Sequence, residues 1–348
     1  MNNGRLVNII RQNIKQFKLD LSGYGIFVAC SSKEPSLLPL TAAMACAKNV
    51  YVLCANGEVV NKIKSIENEF GLKTNFVFIE SESPHVLVNT DILVKSEGMP
   101  YIDFKFISAL KRTSIISVLP HDLDFLHIKD INFEDCSKKG IPVIAVNPSD
   151  ENLALYKHFA NIILKRCYQA GLSVFKSKII VLGRGELVEN AISLLNSCGA
   201  QLYAAYTNNQ NCQEYVLKHL NEAEGLVIAD YPPNSGMLIG NEGLIKILDI
   251  MDLNPDIKII HIAGKLQTHC LTLSNISFVP EVITQSSINL DISELDIKTI
   301  SSCAAAVMKV GEEMLKSREK TGSITPSPLV KYNVFSLIKP LLAEKSLI

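Results

Sequence analysis

Short apolar runs alternate with amphipathic segments along the first 145 residues of the chain. Most of the intervening segments space their apolar residues three and four positions apart, as one face of a helix does. The runs have the length of buried strands and lie at 25–30, 49–54, 75–80, 91–96, 114–119 and 141–146. Because parallel neighbours in a sheet need a crossover connection, this alternation predicts an open α/β sheet of parallel strands.

The same alternation restarts after a helical pattern that begins near Asp150. Five further runs predict a second set of strands, at 178–183, 201–206, 225–230, 257–263 and 276–280. Segment 297–320 then places its apolar residues on one helical face, and prolines interrupt the chain beyond Gly322. At 348 residues, and with roughly 150 residues to a domain, the sequence predicts two α/β domains.

Composition and charge exclude several classes of protein. The formal net charge is -1 and no basic run is present, so we expect a small-molecule partner and neither nucleic acid nor a membrane. The nine cysteines form no Cys-x-x-Cys pair, so neither a disulfide framework nor a metal site is predicted. Charged residues interrupt the N-terminal segment, and no apolar stretch approaches about 20 residues, so we expect a cytoplasmic protein.

The most informative stretch is KIIVLGRGELVENAISLL, residues 178–195, which passes from a strand through two glycines into a helix. Gly183 would permit a tight turn, and Gly185 would let backbone N–H groups approach a pyrophosphate at the positive end of the helix. The third position of the Gly-x-Gly-x-x-Gly pattern is Val188. A turn without a ligand is the alternative. The predicted dinucleotide contacts are Gly183, Arg184, Gly185, Glu186 and Leu187.

The end of the next strand bears on the choice of cofactor. An Asp or Glu there would bind the ribose 2′-hydroxyl of NAD, but this strand is followed by Thr207, Asn208 and Asn209. Their side chains can hydrogen-bond a 2′-hydroxyl or a 2′-phosphate, and no Arg stands beside them to neutralise the phosphate. The sequence therefore leaves NAD and NADP open, with an ordinary polar loop as the alternative.

The order of these segments resembles that of the D-isomer-specific 2-hydroxyacid dehydrogenases. Residues 131–148 resemble the family's crossing from substrate domain to cofactor domain, and 227–248 its strand–proline–turn–helix beneath the nicotinamide. Residues 257–265 and 275–281 are similar to the strands that end in the family's Asn-x-Ala-Arg-Gly and Pro-His motifs. The resemblance implies further cofactor contacts from Asp230, Pro232 and Ala263.

The resemblance also implies an architecture of two doubly wound parallel sheets. A flavodoxin-like substrate domain would comprise 1–147 plus 297–348, and a Rossmann nucleotide-binding domain would comprise 148–296. Cofactor binding would involve NAD or NADP, and the family's assembly implies a homodimer. These boundaries make the substrate domain discontinuous, with the cofactor domain inserted into it.

The chain departs from the family where the chemistry takes place. Gly264 stands in place of the substrate-binding Arg, Glu281 in place of the catalytic His, and the segment with the catalytic Glu is missing. This exchange inverts the charge that would meet a 2-oxo acid. Glu281 could serve as a base, and His261 and Lys265 could face the nicotinamide. His121, with nearby charged residues, is a fourth candidate. A solvated side chain is the favoured alternative for Glu281, as is a polar loop for His121, and the need for polar residues in a strand-end loop is the alternative for His261 and Lys265.

We therefore interpret the sequence as an NAD(P)-binding oxidoreductase for a small carbonyl, hydroxy or imine compound, with diverged catalytic residues. A non-catalytic nucleotide-sensing protein is one alternative. An S-adenosylmethionine-dependent methyltransferase on a similar sheet is another. Fold alone does not choose among these functions.

Overall fold

The computed structural model describes residues 2–30, 34–96, 98–119, 130–231, 236–283, 289, 294–321 and 330–333. The chain forms two compact units, and the first is assembled from two separate stretches of sequence. This first unit comprises Met1–Leu153 and Asp296–Ile348, and the second comprises Ala154–Leu295. Within the described ranges no helix is both long and apolar enough to cross a membrane.

Fifteen strands lie within the described residues. They are β1 (Gly25–Ala29), β2 (Asn49–Leu53), β3 (Asn75–Ile79), β4 (Ile92–Lys95), β5 (Ile115–Val118), β6 (Val143–Val146), β7 (Lys178–Arg184), β8 (Gln201–Tyr206), β9 (Gly225–Asp230), β10 (Met237–Gly240), β11 (Ile245–Lys246), β12 (Lys258–Ala263), β13 (Lys265–Leu266), β14 (Phe278–Val279) and β15 (Val330–Asn333). Seven form a sheet in the order β15–β6–β5–β4–β1–β2–β3, in which only β15 is antiparallel to its neighbour. Five form a parallel sheet in the order β14–β12–β9–β7–β8, and β11, β10 and β13 form a small third sheet.

Helices connect most of the strands. Those in the described residues are α1 (Asn3–Phe17), α2 (Leu37–Met44), α3 (Gly57–Phe70), α4 (Pro84–Leu87), α5 (Phe104–Ala109), α6 (Phe133–Lys139), α7 (Leu155–Gln169), α8 (Glu186–Ser197), α9 (Cys212–Leu220), α10 (Ile247–Leu253), α11 (Thr268–Leu273) and α12 (Ile297–Thr321). The predicted fold class, two doubly wound α/β sheets, is confirmed. The predicted strand at 276–280 is shorter in the structure, because only Phe278 and Val279 pair with β12.

The sequence pattern follows from burial on both faces of the sheets. Strands β1, β4, β5 and β6 are buried at every position, as expected for parallel strands covered by helices above and below. Helix α12 packs on β4, β5 and β6, and a Cβ at its Gly311 would lie 2.8 Å from Ile92 Cγ2. This close approach explains a glycine within a 25-residue helix.

In the second unit, β7 is the strand at which the order of connections reverses. The chain moves from β7 to β8 on one side and then returns to β9 on the other. Ligands of open α/β sheets bind outside the carboxyl ends of the strands at such a switch point. The glycine turn therefore lies where this topology places a ligand.

Candidate nucleotide site

Both glycines of the predicted turn are required by the backbone of the neighbouring strand. Gly183 has φ +151° and Gly185 has φ +78°, values that favour glycine. A Cβ at Gly183 would lie 2.4 Å from the carbonyl oxygen of Ala229, and one at Gly185 would lie 2.6 Å from that of Tyr231. The turn thus closes tightly on the end of β9.

The turn delivers the chain directly into α8, a helix of 12 residues. Its N-cap residue, Gly185, supplies no side chain to hydrogen-bond the first-turn N–H groups. These groups and the helix dipole favour an anion, and Gly185 and Glu186 are exposed to solvent. Val188, at the third position of the glycine pattern, is buried with the apolar face of α8. The pyrophosphate contact at this turn stays a prediction from the sequence.

A compact polar cluster lies beside the turn, at the carboxyl ends of β7, β8 and β9. Asp230 is fully buried at the end of β9, and its Oδ1 accepts a hydrogen bond of 2.7 Å from Thr207 Oγ1. Arg184 Nε lies 3.5 Å from the same oxygen. Among the described residues, Asp230 Oδ2 has no hydrogen-bond partner. The Asp230 carboxylate thus links the ends of three adjacent strands.

The residues predicted to contact a ribose follow β8. The backbone N–H of Thr207 donates to the Gly183 carbonyl at 3.0 Å, which fixes the chain at the edge of the turn. Asn208, the next residue, is exposed. Tyr206 is half-buried, and burial, followed by a hydrogen bond to Glu189 in the first turn of α8, raises its pKa. An acidic side chain of α8, the helix that precedes β8, therefore lies near the end of β8.

His261 lies inside the second unit, on β12, and is fully buried. Its Nε2 lies 2.8 Å from the Gly264 carbonyl oxygen, so this nitrogen carries the proton of the neutral ring. Burial lowers the pKa of His261 to about 4, and the imidazole is therefore uncharged at pH 7. Its Nδ1 has no hydrogen-bond partner within the described ranges. This histidine is placed to hold the end of β12 in position.

The other predicted catalytic and cofactor residues lie on different elements. Lys265 begins β13 in the three-stranded sheet and is half-buried, whereas Glu281 is exposed beyond β14. Ala263 is buried at the end of β12, in register with Ala229. Within the described ranges, no hydrogen bond or ion pair joins any two of His261, Lys265 and Glu281. His121 and Pro232 lie outside the described residues.

One polar residue of this region was not predicted from the sequence. Arg166, on α7, is 1% exposed, and its Nη1 and Nη2 donate to the carbonyl oxygens of His261 and Asn289, each at 2.6 Å. The Glu294 carboxylate accepts hydrogen bonds from Nε and Nη2. The guanidinium thus holds residues 289 and 294 against the end of β12. A sequence signal exists, since Arg166 follows Ile162 and Ile163 on the buried face of α7.

No group of three or more His, Cys, Asp or Glu side chains in the described part of the chain is arranged to hold a metal ion. No protein-family model matches the chain, and no curated protein matches its sequence.

Solved structures, in contrast, match most of the chain. The A chain of dipicolinate synthase from Bacillus subtilis gives a TM-score of 0.59 at 10% identity, covering 86% of this chain and 99% of that chain. The NAD-dependent formate dehydrogenase from Staphylococcus aureus, in complex with NAD, gives 0.52 at 11% identity, covering 88% and 98%. TP0037 from Treponema pallidum, a D-lactate dehydrogenase, gives 0.50 at 12% identity, covering 82% and 99%. The chain has the fold of the D-isomer-specific 2-hydroxyacid dehydrogenases. The resemblance drawn from the order of the segments is confirmed at this level.

Proposed function

We propose that this protein is an NAD(P)-binding oxidoreductase that acts on a small carbonyl, hydroxy or imine compound. The observation that supports this most strongly is the turn from Gly183 to Gly185, which leads from the switch-point strand β7 into the uncapped N-terminus of α8. Backbone groups of 183–187 would hold the pyrophosphate. Thr207, Asn208 and Ala263 would contact other parts of the cofactor. The formate dehydrogenase with the same fold carries NAD.

The two units would bind different ligands. In this proposal, Ala154–Leu295 binds the nucleotide, because it contains the glycine turn, and Met1–Leu153 with Asp296–Ile348 binds the substrate. The homodimer and the cytoplasmic location stay predictions from the sequence.

The charges beside the turn favour NAD over NADP. An NADP site supplies an Arg to the 2′-phosphate near the end of the second strand. In this chain Arg184 lies 3.5 Å from the buried Asp230, and Glu189 hydrogen-bonds Tyr206 at the end of β8. A 2′-phosphate at the end of β8 would be repelled by the carboxylates of Asp230 and Glu189. A ribose 2′-hydroxyl could instead donate a hydrogen bond to one of them.

When bound, the nicotinamide would supply the hydride chemistry, and the chain would supply binding, orientation and proton transfer. Buried and neutral His261 positions the end of β12 in this proposal. Lys265, Glu281 and His121 remain as candidates for moving the substrate's proton. Because Gly264 offers no cation, the substrate class shifts away from 2-oxo acids toward compounds that need no carboxylate clamp.

A ligand panel tests the proposal on the intact protein. Thermal unfolding would be followed with NAD, NADH, NADP, NADPH and S-adenosylmethionine. A ligand at 1,000 times its Kd adds about 4 kcal/mol to the free energy of unfolding. We expect stabilisation by NAD or NADH. Stabilisation by S-adenosylmethionine alone would indicate the methyltransferase, and no stabilisation by any dinucleotide would refute the proposal.

A variant pair locates the site. Gly185→Ala places a Cβ 2.6 Å from the Tyr231 carbonyl at positive φ and should weaken dinucleotide binding. Gly57→Ala, at the first residue of α3, meets nothing within 4 Å and serves as the control. Unchanged NAD affinity in folded Gly185→Ala would place the cofactor elsewhere.

A further inference from the structure

A cavity of about 750 Å³ opens at the carboxyl edge of the seven-stranded sheet, in the unit without the glycine turn. Its walls come from the chain just beyond β1, β2 and β3 and from the loop after β4. In the sheet order, β1 lies between β4 and β2, so the cavity lies at this sheet's switch point. Its volume is in the range of small-molecule sites. The lining includes Cys30, Cys54, Glu80, Glu82 and Met99.

Two of these lining residues are cysteines that directly follow the adjacent parallel strands β1 and β2. Ala29 and Leu53 are in register, so Cys30 and Cys54 follow matched strand ends. The Cys30 N–H donates to the Leu53 carbonyl at 3.0 Å, which continues the strand pairing. Residues in register on neighbouring strands are about 5 Å apart, within the Cα separation that a disulfide spans.

The two thiols differ in exposure to solvent, but they lie close enough to interact with each other. Cys30 is half-buried and Cys54 is 8% exposed, with its Sγ donating to the Asn56 carbonyl oxygen at 3.6 Å. Burial, followed by a hydrogen bond to the Cys54 thiol, raises the pKa of Cys30. The Cys30 thiol is therefore protonated at neutral pH, and its thiolate fraction increases with pH.

The opposite wall holds Cys30 in place. A Cβ at Gly98 would lie 2.2 Å from the Cys30 carbonyl oxygen, so the loop after β4 passes directly beside this residue. The loop is itself anchored, because the buried Nζ of Lys95 donates to the carbonyl oxygens of Ser96 at 3.3 Å and Met99 at 3.1 Å. The thiols thus face an open cavity from a fixed backbone, which leaves room for a small reagent.

We propose that Cys30 and Cys54 form a dithiol that a low-molecular-weight disulfide, entering through the cavity, converts reversibly to a protein disulfide. The Cys30 thiolate attacks one sulfur of the reagent and releases one thiol, leaving a mixed disulfide at Cys30. The Cys54 thiolate then attacks the Cys30 sulfur and releases the second thiol. The protein loses two electrons and two protons, and the reagent becomes two thiols.

The test uses the full chain with oxidised glutathione, followed by tryptic mapping without reduction. The sequence suits this experiment, because Cys30, Cys46 and Cys54 fall in separate tryptic peptides, 19–33, 34–48 and 49–62. We expect a disulfide that links 19–33 to 49–62 and disappears with dithiothreitol. Its rate of formation should increase by about tenfold per pH unit below the thiol pKa, in proportion to the thiolate.

Cys46 provides the internal control, because it is an exposed cysteine in the same unit. It should form only a mixed disulfide with glutathione, and Cys46→Ser should leave the 19–33 to 49–62 link unchanged. The proposal is wrong if Cys46 becomes glutathionylated at pH 9 while Cys30 and Cys54 stay free. It is also wrong if Cys30 stops at the mixed disulfide, or if another cysteine pair, such as Cys167 and Cys198, is linked instead.

Discussion

The carboxyl ends of β7 and β12 lie on either side of β9 in one sheet, and both place a positive-φ glycine against it. At β7, Gly183 closes on the Ala229 carbonyl, and the chain enters a helix whose N-terminus is open to an anion. At β12, a Cβ on Gly264 would lie 3.3 Å from Asp230 Cβ and 2.6 Å from Leu238 Cδ1. In our proposal the first glycine turn binds the cofactor, whereas the second stands where the resemblance places the substrate-binding Arg. The two strand ends would therefore serve different parts of the proposed reaction.

The largest effect that we expect from this difference is on simple 2-hydroxy acids. A charge-assisted pair with a substrate carboxylate is worth about 1.5–3 kcal/mol, and general acid–base catalysis about 100-fold to 10,000-fold. Gly264 and Glu281 supply neither in the family's way. We expect kcat/KM below about 10⁴ M⁻¹s⁻¹ for lactate, glycerate, phosphoglycerate and their oxo acids, followed at 340 nm with both cofactors. A higher value would contradict our assignment of these two positions.

Restoring the arginine sharpens this prediction. Gly264 has φ +119° and its Cβ position is occupied by Leu238, so Gly264→Arg should strain the backbone and leave turnover of 2-oxo acids low. A folded Gly264→Arg protein that gains 2-oxo acid reduction would show that the site tolerates the family's cation.

The next largest effect concerns Arg166, which holds the β12 end. Arg166→Met leaves the Glu294 carboxylate and two backbone carbonyls without their donor, and breaking a buried ion pair from one side costs about 3–5 kcal/mol. Urea unfolding should show this loss. Lys165→Met, at the adjacent exposed position of the same helix, should stay within about 0.5 kcal/mol of the parent protein. Equal stabilities of the two variants would contradict a stabilising role of the Arg166 contacts.

These two strand ends also show what could be predicted from the sequence. The buried strands and the glycine turn were predictable, because burial on both faces gives continuous apolar runs and the turn has a local motif. The Arg166 clamp was not, because its partners Asn289 and Glu294 lie more than 120 residues along the chain. The contact between Thr207 and Asp230 depends on strand order, which no local pattern specifies. Strands as short as β11, β13 and β14 have too few residues to show a period.

A smaller, pH-dependent effect is expected from His261. The unfolded chain binds a proton there below about pH 6.5, but burial, with the nearby Arg166 charge contributing, lowers the folded pKa to about 4. The unfolded state thus holds more protons between these values, so stability is lost as the pH falls from 6.5 to 4. The loss should approach roughly 3 kcal/mol.

Chemical unfolding across this pH range, with His261→Gln as the variant, measures the effect. The comparison concerns the slope of stability against pH, because the substitution also changes packing. His261→Gln should flatten the slope, and His85→Gln, at an exposed position on α4, should leave it unchanged. A parent-like slope in His261→Gln would mean that other groups cause the acid sensitivity.

The smallest effect that we expect is on the difference between NADP and NAD affinity, and it concerns Glu189 beside the end of β7. Glu189 is exposed and hydrogen-bonds Tyr206, so its carboxylate lies at the end of β8, where the proposed site would place the ribose. Glu189→Gln removes one negative charge there without a change of shape. Since exposed charge pairs are worth about 0.2–1 kcal/mol, we expect NADP affinity to improve by at most about fivefold, while NAD affinity changes less. Isothermal titration of both cofactors checks this, with Glu214→Gln, which changes an exposed acid in the first turn of α9, as the control.

Because screening by salt weakens exposed charges, the gain in NADP affinity of Glu189→Gln should shrink as ionic strength rises. A gain that is independent of salt, or one shared by Glu214→Gln, would mean that Glu189 does not face the 2′-position, and the NAD preference would then rest on Asp230 alone.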